Sequence, residues 1–389
     1  MNTSDVLFIV LAALVVYTYV GYGVLLGCMV KLKEFIFPPK PKRLPEVLPE
    51  VTLLIAAYNE EAVVEEKMEN CRALDYPKER LHIYWVTDGT TDKTNDLLTK
   101  YPEVTVLFDP ARRGKSAALN RAMPYVKTSL TVFTDANTFI NPQAIKEIVR
   151  EFTDESVGCV AGEKRVRMKE VQNAASGEGI YWKYESTLKD WDYRLHTAVG
   201  AAGELFAVRT SLFITLPDDT LLDDFVMSMT IASKGFKIAY CKNAYALEDA
   251  SFNVKEESKR KVRIAAGGLQ SIRRLAHLLN PIPRPMLTFQ YVSHRVLRWS
   301  VTPIALLVLF PLNVWLCKDG NPIYCTILAL QVLFYLAAYR GKQLAEKQIK
   351  NKYLFVPYYF MMMNWNVLKA FFYLKKNKGK GTWQKAKRA

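Results

Sequence analysis

Long uncharged stretches near both ends of the chain contrast with a polar, periodically patterned middle. Residues 6–30 carry no charged side chain, and residues 301–317, 323–339 and 353–374 are nearly as apolar. A helix of about 20 apolar residues crosses a hydrocarbon core of roughly 30 Å. The pattern predicts a central domain held between membrane segments. It excludes a purely soluble protein and a bundle made only of membrane helices.

Short apolar runs rich in strand-forming residues recur in the middle region, at 51–58, 81–87, 104–109 and 130–135. Segments of helical period separate them, which is the pattern of βαβ units joined by right-handed crossovers. The predicted fold class is α/β, with a mostly parallel sheet and flanking helices. Ligands bind such sheets at the carboxyl ends of the strands, and a polar segment follows each of these runs.

The distribution of basic residues predicts how the chain is oriented in a membrane. The chain begins with the uncharged-to-acidic MNTSD, whereas basic residues follow the first apolar stretch, at Lys31, Lys33, Lys40, Lys42 and Arg43. The positive-inside rule then places the N-terminus outside and the central domain in the cytoplasm. We therefore expect a multi-pass protein of the cell (inner) membrane, with the neutral turn KDGNP at the outer face.

The pattern divides the chain into five segments. They are an N-terminal transmembrane helix with its linker (1–40), a cytosolic α/β domain (41–280), an amphipathic interfacial helix (281–300), C-terminal membrane segments (301–374) and a basic tail (375–389). The amphipathic helix is expected at the lipid headgroups, or alternatively packed on the central domain. Segment 353–374 either spans the membrane or lies re-entrant or along its surface, and the tail is expected in the cytoplasm.

The overall charge and the cysteines narrow the choice of partners. The formal net charge is +15, from 53 Lys and Arg against 38 Asp and Glu. Basic residues concentrate beside the apolar segments, where membrane topology explains them, so nucleic-acid binding is not expected. The six cysteines have no CxxC spacing, which argues against a zinc or redox motif. They are expected to be small buried side chains, and the four histidines fall in no motif.

The candidate chemistry lies at the predicted strand ends. Neither GxGxxG nor GxxxxGK[ST] occurs, so no dinucleotide fingerprint or P-loop is present. Acids follow the second and fourth strands, at Asp88 and Asp135, and the basic stretch 112–115 follows the third. This mixture fits a sugar nucleotide, because acids serve a metal, the base and the ribose, while cations serve the diphosphate.

Taken in order, these segments resemble the inverting family-2 glycosyltransferases with a GT-A fold. More narrowly, they are similar to the membrane-integrated bacterial synthases of poly-N-acetylglucosamine, cellulose, chitin oligomers and hyaluronan. The motifs are AAYNE (56–60), DGTTD (88–92), RGK with a following Asn (113–120), DAN (135–137) and LLDD (221–224). The resemblance implies a UDP-sugar donor bound by Ala57, Tyr58, Asn59, Glu60, Asp88, Lys115, Asp135 and Arg263.

The resemblance also implies a divalent cation, Mg²⁺ or Mn²⁺, bound by Asp135 and Asn137. Side chains at i and i+2 of a strand point to the same side, so both can reach one ion. Both ions prefer oxygen ligands. Asn137 stands where the family has a second aspartate, which keeps a carbonyl oxygen and removes a negative charge. Asp135 is therefore the expected main ligand.

Two further motifs match the catalytic and acceptor sides of the family. Asp224 is the implied general base, and the like charge of Asp223 is expected to raise the base's pKa; helix capping is the alternative for this acid pair. The segment 199–209 resembles the acceptor segment. Gly203 and Glu204, with Trp182, are therefore expected to bind the acceptor, a tight turn and core packing being the alternatives.

Processive members of the family carry Q/RxxRW near the membrane, and here Arg260 and Arg263 match while Ile264 replaces the tryptophan. The leading expectation is transfer from UDP-GlcNAc or UDP-Glc to a growing glycan, in exopolysaccharide or cell-envelope polysaccharide synthesis. The expected partners are the bilayer and polysaccharide-export proteins. Transfer of one sugar to a membrane lipid is the alternative, which Ile264 favours. A non-catalytic exporter subunit is a third, against which Asp88, Asp135 and Asp224 argue.

Overall fold

A single mixed sheet forms the centre of the protein. The computed structural model describes residues 2–167, 176–249, 254–347, 349 and 351–377, so residues 378–389 of the predicted basic tail lie outside it. Within these residues the sheet has eight strands in the order β3-β2-β1-β4-β7-β6-β8-β5. They are β1 (Val51–Ala57), β2 (Leu81–Asp88), β3 (Val104–Asp109), β4 (Leu130–Asp135), β5 (Thr138–Ile140), β6 (Val157–Arg167), β7 (Leu205–Arg209) and β8 (Lys237–Asp249).

The α/β fold predicted from the sequence is confirmed. Strands β3, β2, β1 and β4 pair in parallel, each beginning and ending within a residue of its predicted bounds. Beyond β4 the sheet is mixed, because β7 runs antiparallel to both β4 and β6, while β6 and β8 pair in parallel. The parallel half brings the carboxyl ends of β1, β2 and β4 to one edge.

Helices cover both faces of the sheet and extend beyond it. They are α1 (Thr3–Val16), α2 (Tyr22–Ile36), α3 (Val64–Arg72), α4 (Thr94–Leu98), α5 (Lys115–Ala122), α6 (Ala144–Glu151), α7 (Ser176–Leu195), α8 (Asp223–Ser233), α9 (Val254–Arg274), α10 (Pro285–Tyr291), α11 (Leu297–Trp299), α12 (Val301–Cys317), α13 (Pro322–Glu346) and α14 (Lys352–Lys376).

The alternating side chains of the central strand divide the core in two. Leu53 and Ile55 of β1 pack on one face with α3, α4 and α6. Leu54 points to the other face, where it packs with α5, α8 and α10. All three side chains are fully buried. A central strand buried on both faces reads as a continuous apolar run, which is why the sequence pattern located it.

Two helical stretches are long and apolar enough to cross a membrane, judged by length and composition over the described residues. These are Thr3–Ile36, in which a π-helical turn joins α1 to α2, and Pro322–Glu346. Pro285–Trp299 and Val301–Cys317 pass the same test only together, as a pair bent by 52°. Helix α14 is not among them, although its segment was predicted either to span or to lie along the membrane.

The cysteine prediction was wrong for three residues, the disulfide pair Cys317 and Cys325 and the exposed Cys28. Cys317 and Cys325 form a disulfide across the turn between α12 and α13, with their Cα atoms 5.0 Å apart. Their spacing resembles no disulfide motif, and only the antiparallel hairpin brings them together. Cys28 is exposed, whereas Cys71, Cys159 and Cys241 are buried as expected.

The helix predicted to lie at the headgroups uses its polar side chains within the protein. His294 is fully buried, and its Nδ1 lies 2.5 Å from a carboxylate oxygen of Asp192 on α7. Glu185, also on α7, pairs with Arg295 at 2.6 Å and with Arg298 at 3.1 Å. These contacts match the alternative prediction, in which the helix packs on the central domain.

Candidate active site

A cavity of about 1090 Å³ opens at the carboxyl ends of β1, β2 and β4 and continues between α7, α9 and α14. Every residue predicted for the site lines it except Asn59. The structure therefore brings the separate motifs together around one space.

Asp88 ends β2 and holds the following basic loop in place. Its carboxylate accepts hydrogen bonds from the backbone N–H groups of Arg113, at 3.1 Å, and Gly114, at 2.7 Å. Gly114 has φ +100°, a conformation that favours glycine. Asp88, predicted to bind the donor, thus orders the loop that leads to Lys115, a role that its motif did not reveal.

In the loop after β1, Tyr58 faces the cavity, whereas the side chain of Asn59 makes a contact within the fold. Tyr58 faces the cavity with the guanidinium of Arg112 lying 3.7 Å from its ring centroid. Asn59 has φ +52°, and its Oδ1 accepts a hydrogen bond from the Thr91 backbone N–H at 2.9 Å. Asn59 therefore joins this loop to the DGTTD turn. Its predicted contact with the nucleotide stays a prediction.

Lys115 begins α5 and donates a 2.6 Å hydrogen bond to Asp135 at the end of β4. Its Nζ also lies 3.9 Å from Asp223. Burial alone would lower the pKa of Lys115, but Asp135 and Asp223 outweigh it and hold the pKa above its ordinary value. A cation at a helix N-terminus opposes the helix dipole, and these acids offset that conflict.

The oxygen atoms around Asp135 fit a metal that is bound partly by its substrate. Among the described residues, Asn137 Oδ1 and Asp223 Oδ2 are buried without a hydrogen-bond partner. No group of three or more His, Cys, Asp or Glu side chains in the described ranges could hold a metal alone. Mg²⁺ and similar ions usually take one or two protein oxygens plus phosphates and water. Asp135 and Asn137 supply such a partial set.

Asp224 lies on the first turn of α8 and faces the cavity. Burial, and then the negative charge of Asp223, raise the pKa of Asp224 to about 7. A Cβ atom at Gly203 would lie 3.5 Å from Asp224 Oδ2, so glycine leaves space in front of this carboxylate. A carboxyl with this pKa can accept a proton near neutral pH.

The predicted acceptor residue Glu204 belongs to a buried ion-pair chain. Lys164 bridges the carboxylates of Glu204 and Glu248, and Arg260 lies 3.4 Å from Glu248. Burial alone would raise the pKa of Glu204, but Lys164 outweighs it and lowers the pKa. The ring of Trp182 covers Lys164, with Nζ 5.5 Å from its centroid. This chain of ion pairs holds in place the part of the cavity wall that carries Glu204.

The two arginines of the RxxR stretch on α9 have different surroundings. Arg260 Nε pairs with Glu257 at 3.0 Å, so it contributes to the ion-pair chain. Arg263 lines the cavity; burial and then the charge of Arg260 lower its pKa, against the opposing effect of Asp135. Arg263 thus faces the cavity within electrostatic reach of Asp135.

Sequence reasoning missed the residues that distant helices bring to the cavity. Trp299 of α11 lines it and packs at Gly268, one turn beyond Ile264, where a Cβ would meet the indole at 2.5 Å. Tyr19 and Phe360, from the first apolar helix and α14, line its far end. The apolar periodicity of α14 was visible, but it was interpreted as a membrane segment. Nothing in the local sequence of α14 linked this helix to the carboxyl ends of β1, β2 and β4.

Comparison with known proteins identifies the family. The profile described as "Glycosyltransferase like family 2" matches residues 49–267, more than half of the chain. A β-monoglucosyldiacylglycerol synthase from Nostoc sp. is 31% identical over 174 residues, covering 42% of this chain and 36% of that protein. A poly-β-1,6-N-acetyl-D-glucosamine synthase from Staphylococcus aureus is 27% identical over 246 residues, covering 60% and 58%. The chain thus spans from about a third to under three fifths of these relatives.

A solved structure is similar over nearly the full length. The mannosyltransferase PcManGT from Pyrobaculum calidifontis, solved with GDP-Man and Mn²⁺, has a TM-score of 0.74 at 20% identity. The alignment covers 96% of this chain and 99% of that one. This similarity confirms the GT-A-like fold, including the helices outside the sheet. With the family profile spanning the sheet and the strand-end motifs, the chain belongs to glycosyltransferase family 2.

Proposed function

We propose that this protein is a metal-dependent, inverting glycosyltransferase that moves one sugar from a UDP-sugar to a hydroxyl of a membrane lipid. The observation that carries the proposal is the position of Asp224. Its half-buried carboxylate faces the cavity beside Gly203, and Lys115, which pairs with the metal-ligand candidate Asp135, lies next to it. A general base on one side of the anomeric carbon and a binding site for the leaving diphosphate on the other side suit a single displacement at that carbon.

In this mechanism Asp224 takes the proton from the acceptor hydroxyl as its oxygen bonds to the anomeric carbon. The bond between that carbon and the diphosphate oxygen breaks, and UDP leaves with the electron pair. Lys115 and Arg263 both line the cavity, and in this proposal their charges offset that of the leaving diphosphate. A divalent cation at Asp135 and Asn137 would supply further charge stabilisation when bound. Glu204, held by Lys164, limits how the acceptor sugar or glycerol can turn.

The composition of the far end of the cavity supports a lipid acceptor. Val356, Phe360, Met363 and Val367, all on α14, line it together with Tyr19 of the first apolar helix. Apolar side chains at helical spacing give a surface that suits a hydrocarbon chain. The Nostoc relative is, by its name, a synthase of a glycosylated diacylglycerol. The proposal places the protein in the cell membrane, with its catalytic domain in the cytoplasm.

A growing glycan is the second candidate acceptor. Trp182 and Trp299 give the cavity aromatic surface on which sugar rings stack. The Staphylococcus aureus relative makes, by its name, a β-1,6-linked polymer. For this candidate UDP-GlcNAc or UDP-Glc is the expected donor, and polysaccharide-export proteins are the expected partners.

The proposal is tested with the purified full chain in lipid nanodiscs that contain diacylglycerol. Each of UDP-Glc, UDP-GlcNAc and GDP-Man is added separately with Mg²⁺ or Mn²⁺, and products are identified by mass spectrometry. We expect a glycolipid heavier than the acceptor by one sugar residue, formed only from a UDP-sugar. A ladder of free glycan would instead support the second candidate. Release of nucleotide without any transfer would contradict both.

A further inference from the structure

A buried lysine on the cavity wall lacks an anionic partner. Lys189 of α7 is only 8% exposed and lines the cavity. Across the described residues its ammonium group makes no hydrogen bond or ion pair, and it lies 5.8 Å from the centroid of the Tyr240 ring. An unpaired ammonium is costly to bury. The three donors of this group therefore call for a ligand.

The neighbouring carboxylates already have other partners. Glu185 is shared by Arg295 at 2.6 Å, Arg298 at 3.1 Å and His294 at 3.3 Å. Glu163 accepts from Ser186 at 2.8 Å and also from Tyr240. Glu204 pairs with Lys164. Burial, then the nearby charge of Arg295, lower the pKa of Lys189 against the opposing effect of these acids.

Two guanidinium groups therefore share one carboxylate beside the lysine. The ammonium of Lys189 and the guanidinium of Arg295 both line the cavity and can donate to one ligand. A phosphate group can accept from both, because arginine matches its oxygens in a planar fork and lysine acts on it as a point charge.

These cations lie on the acceptor side of the cavity, close to the proposed base. Arg295 Nε donates to the carbonyl of Val199, at the start of the segment that carries Gly203 and Glu204, at 3.4 Å. The guanidinium of Arg295 also lies 5.6 Å from the Trp299 ring centroid. Trp299 in turn contacts Phe225, the residue after Asp224, with ring centroids 5.0 Å apart. One layer of side chains thus separates the cations from the catalytic carboxylate.

We infer that Lys189 and Arg295 form a phosphate subsite for the acceptor, and that the acceptor is a glycerophospholipid whose headgroup hydroxyl reaches Asp224. The inference rests on the proposed transfer to a membrane lipid and names the class of lipid. The phosphate lies between Lys189 and Arg295, the acyl chains leave along α14, and Arg298 keeps Glu185 from neutralising the subsite fully.

Binding is measured first, because it is independent of turnover. Isothermal titration calorimetry on the full chain in detergent uses sn-glycerol 3-phosphate, glycerol and inorganic phosphate as separate probes. We expect sn-glycerol 3-phosphate to bind, and Lys189→Met to weaken it about tenfold or more, as loss of a charged hydrogen bond does. Lys189→Arg should restore much of the affinity. Lys183→Met, an exposed lysine on the same helix, is the matched control and should bind normally.

Turnover then separates the lipid headgroup from free phosphate. Nanodiscs carry phosphatidylglycerol or diacylglycerol, which both offer a primary hydroxyl and differ in the phosphate. The wild type should prefer phosphatidylglycerol in kcat/KM, and Lys189→Met should reduce that preference about tenfold. An unchanged preference, or equal binding of glycerol and sn-glycerol 3-phosphate, would overturn the subsite. Inorganic phosphate binding as tightly as the glycerol ester would overturn its assignment to a lipid.

The two proposals fail in different ways. Transfer to diacylglycerol without any binding of sn-glycerol 3-phosphate would leave the proposed function standing and remove the subsite. Binding that depends on Lys189, without transfer to either lipid, would keep the phosphate site, remove its assignment to the acceptor and contradict the proposed function.

Discussion

The two walls of the cavity are assembled in different ways. The strand wall consists of Asp88, Lys115, Asp135 and Asn137, and its contacts join residues that are close in sequence. Asp88 and Gly114 are 26 residues apart, and Lys115 and Asp135 are 20 apart. The helix wall consists of the cavity-facing residues of α7, α9, α11 and α14. Its contacts are remote: Glu185 and Arg298 are 113 residues apart, and Tyr19 and Asn364 are 345 apart.

Because of this difference, we expect the strand wall to determine the chemical step and the helix wall to determine which acceptor binds. A parallel sheet brings the ends of neighbouring strands together whatever covers it, so the strand wall can stay constant while the helix wall varies. We expect substitutions in the strand wall and at Asp224 to change the rate of transfer. Those in the helix wall should change acceptor choice or stability.

The largest expected effect is that of Asp224→Asn. An asparagine has nearly the same shape but cannot take a proton, so kcat should fall about 10²–10⁴-fold. UDP binding, which belongs to the strand wall, should be unchanged by calorimetry. Asp218→Asn, at an exposed position shortly before α8, is the control and should keep full activity. Near-normal turnover of Asp224→Asn would remove the base assignment.

Asp135→Ala should lower activity at least about 10²-fold and abolish metal-dependent UDP binding, because a cation held by Asp135 would stabilise the leaving diphosphate. Asn137→Asp should have the opposite effect on the metal, since it restores a carboxylate. The metal concentration for half-maximal rate should then decrease. Titrations of Mn²⁺ and Mg²⁺ against initial rate measure both effects. Full activity of the wild type in excess chelator would refute a metal at this position.

Lys164→Met tests the buried ion-pair chain of Glu204, Lys164 and Glu248 through stability. It leaves Glu204 and Glu248 buried without their shared cation, and breaking a buried ion pair costs about 3–5 kcal/mol. Thermal unfolding of the full chain in detergent should show a lowered Tm, whereas Lys100→Met, at an exposed position between α4 and β3, should not. Adding Glu248→Gln to Lys164→Met should recover part of the loss. Equal Tm values for all variants would show that the chain of charges carries little stability.

The pH dependence of the transfer rate should follow the protonation of Asp224. Because burial and then Asp223 raise the pKa of Asp224 to about 7, the base is protonated at low pH. The rate should rise through about pH 7 as the base loses its proton. Asp223→Asn removes the like charge, so the rising limb should move to lower pH. A limb that does not move would mean that Asp223 has no electrostatic effect on the base.

The sequence predicted the strand wall far better than the helix wall, for a physical reason. Continuous apolar runs located β1 to β4, and the polar residues after them located Asp88, Lys115 and Asp135. Trp299 and Phe360 carried no such signal, because a contact between remote helices depends on packing that local pattern does not encode. The pairing of Arg295 and Arg298 with Glu185 was missed for the same reason. Asn59 is the opposite case: it belongs to a recognised motif, but its side chain joins two loops and does not line the cavity.

Removing the disulfide should have the smallest effect on transfer. The disulfide is instead informative about the side of the membrane on which the turn between α12 and α13 is expected to lie. Disulfides persist in oxidising compartments and are rare in the cytosol. The Cys317–Cys325 bond therefore agrees with the prediction that the KDGNP turn faces outward and the catalytic domain inward. Changing both cysteines to serine should leave kcat unchanged, because the turn lies outside the residues that line the cavity.

Labelling intact cells with a membrane-impermeant maleimide, in a Cys28→Ser background, tests that orientation. The turn should be labelled only after treatment with an impermeant reductant, whereas a cysteine introduced at Gly381, in the predicted cytoplasmic tail, should be labelled only after permeabilisation. Labelling of Cys317 and Cys325 without reduction would contradict the disulfide. Labelling of Gly381→Cys in intact cells would place the tail outside, and α14 would then have to cross the membrane. In that case the apolar end of the cavity would lie within the bilayer, and a lipid acceptor would reach Asp224 from the side instead of from the surface.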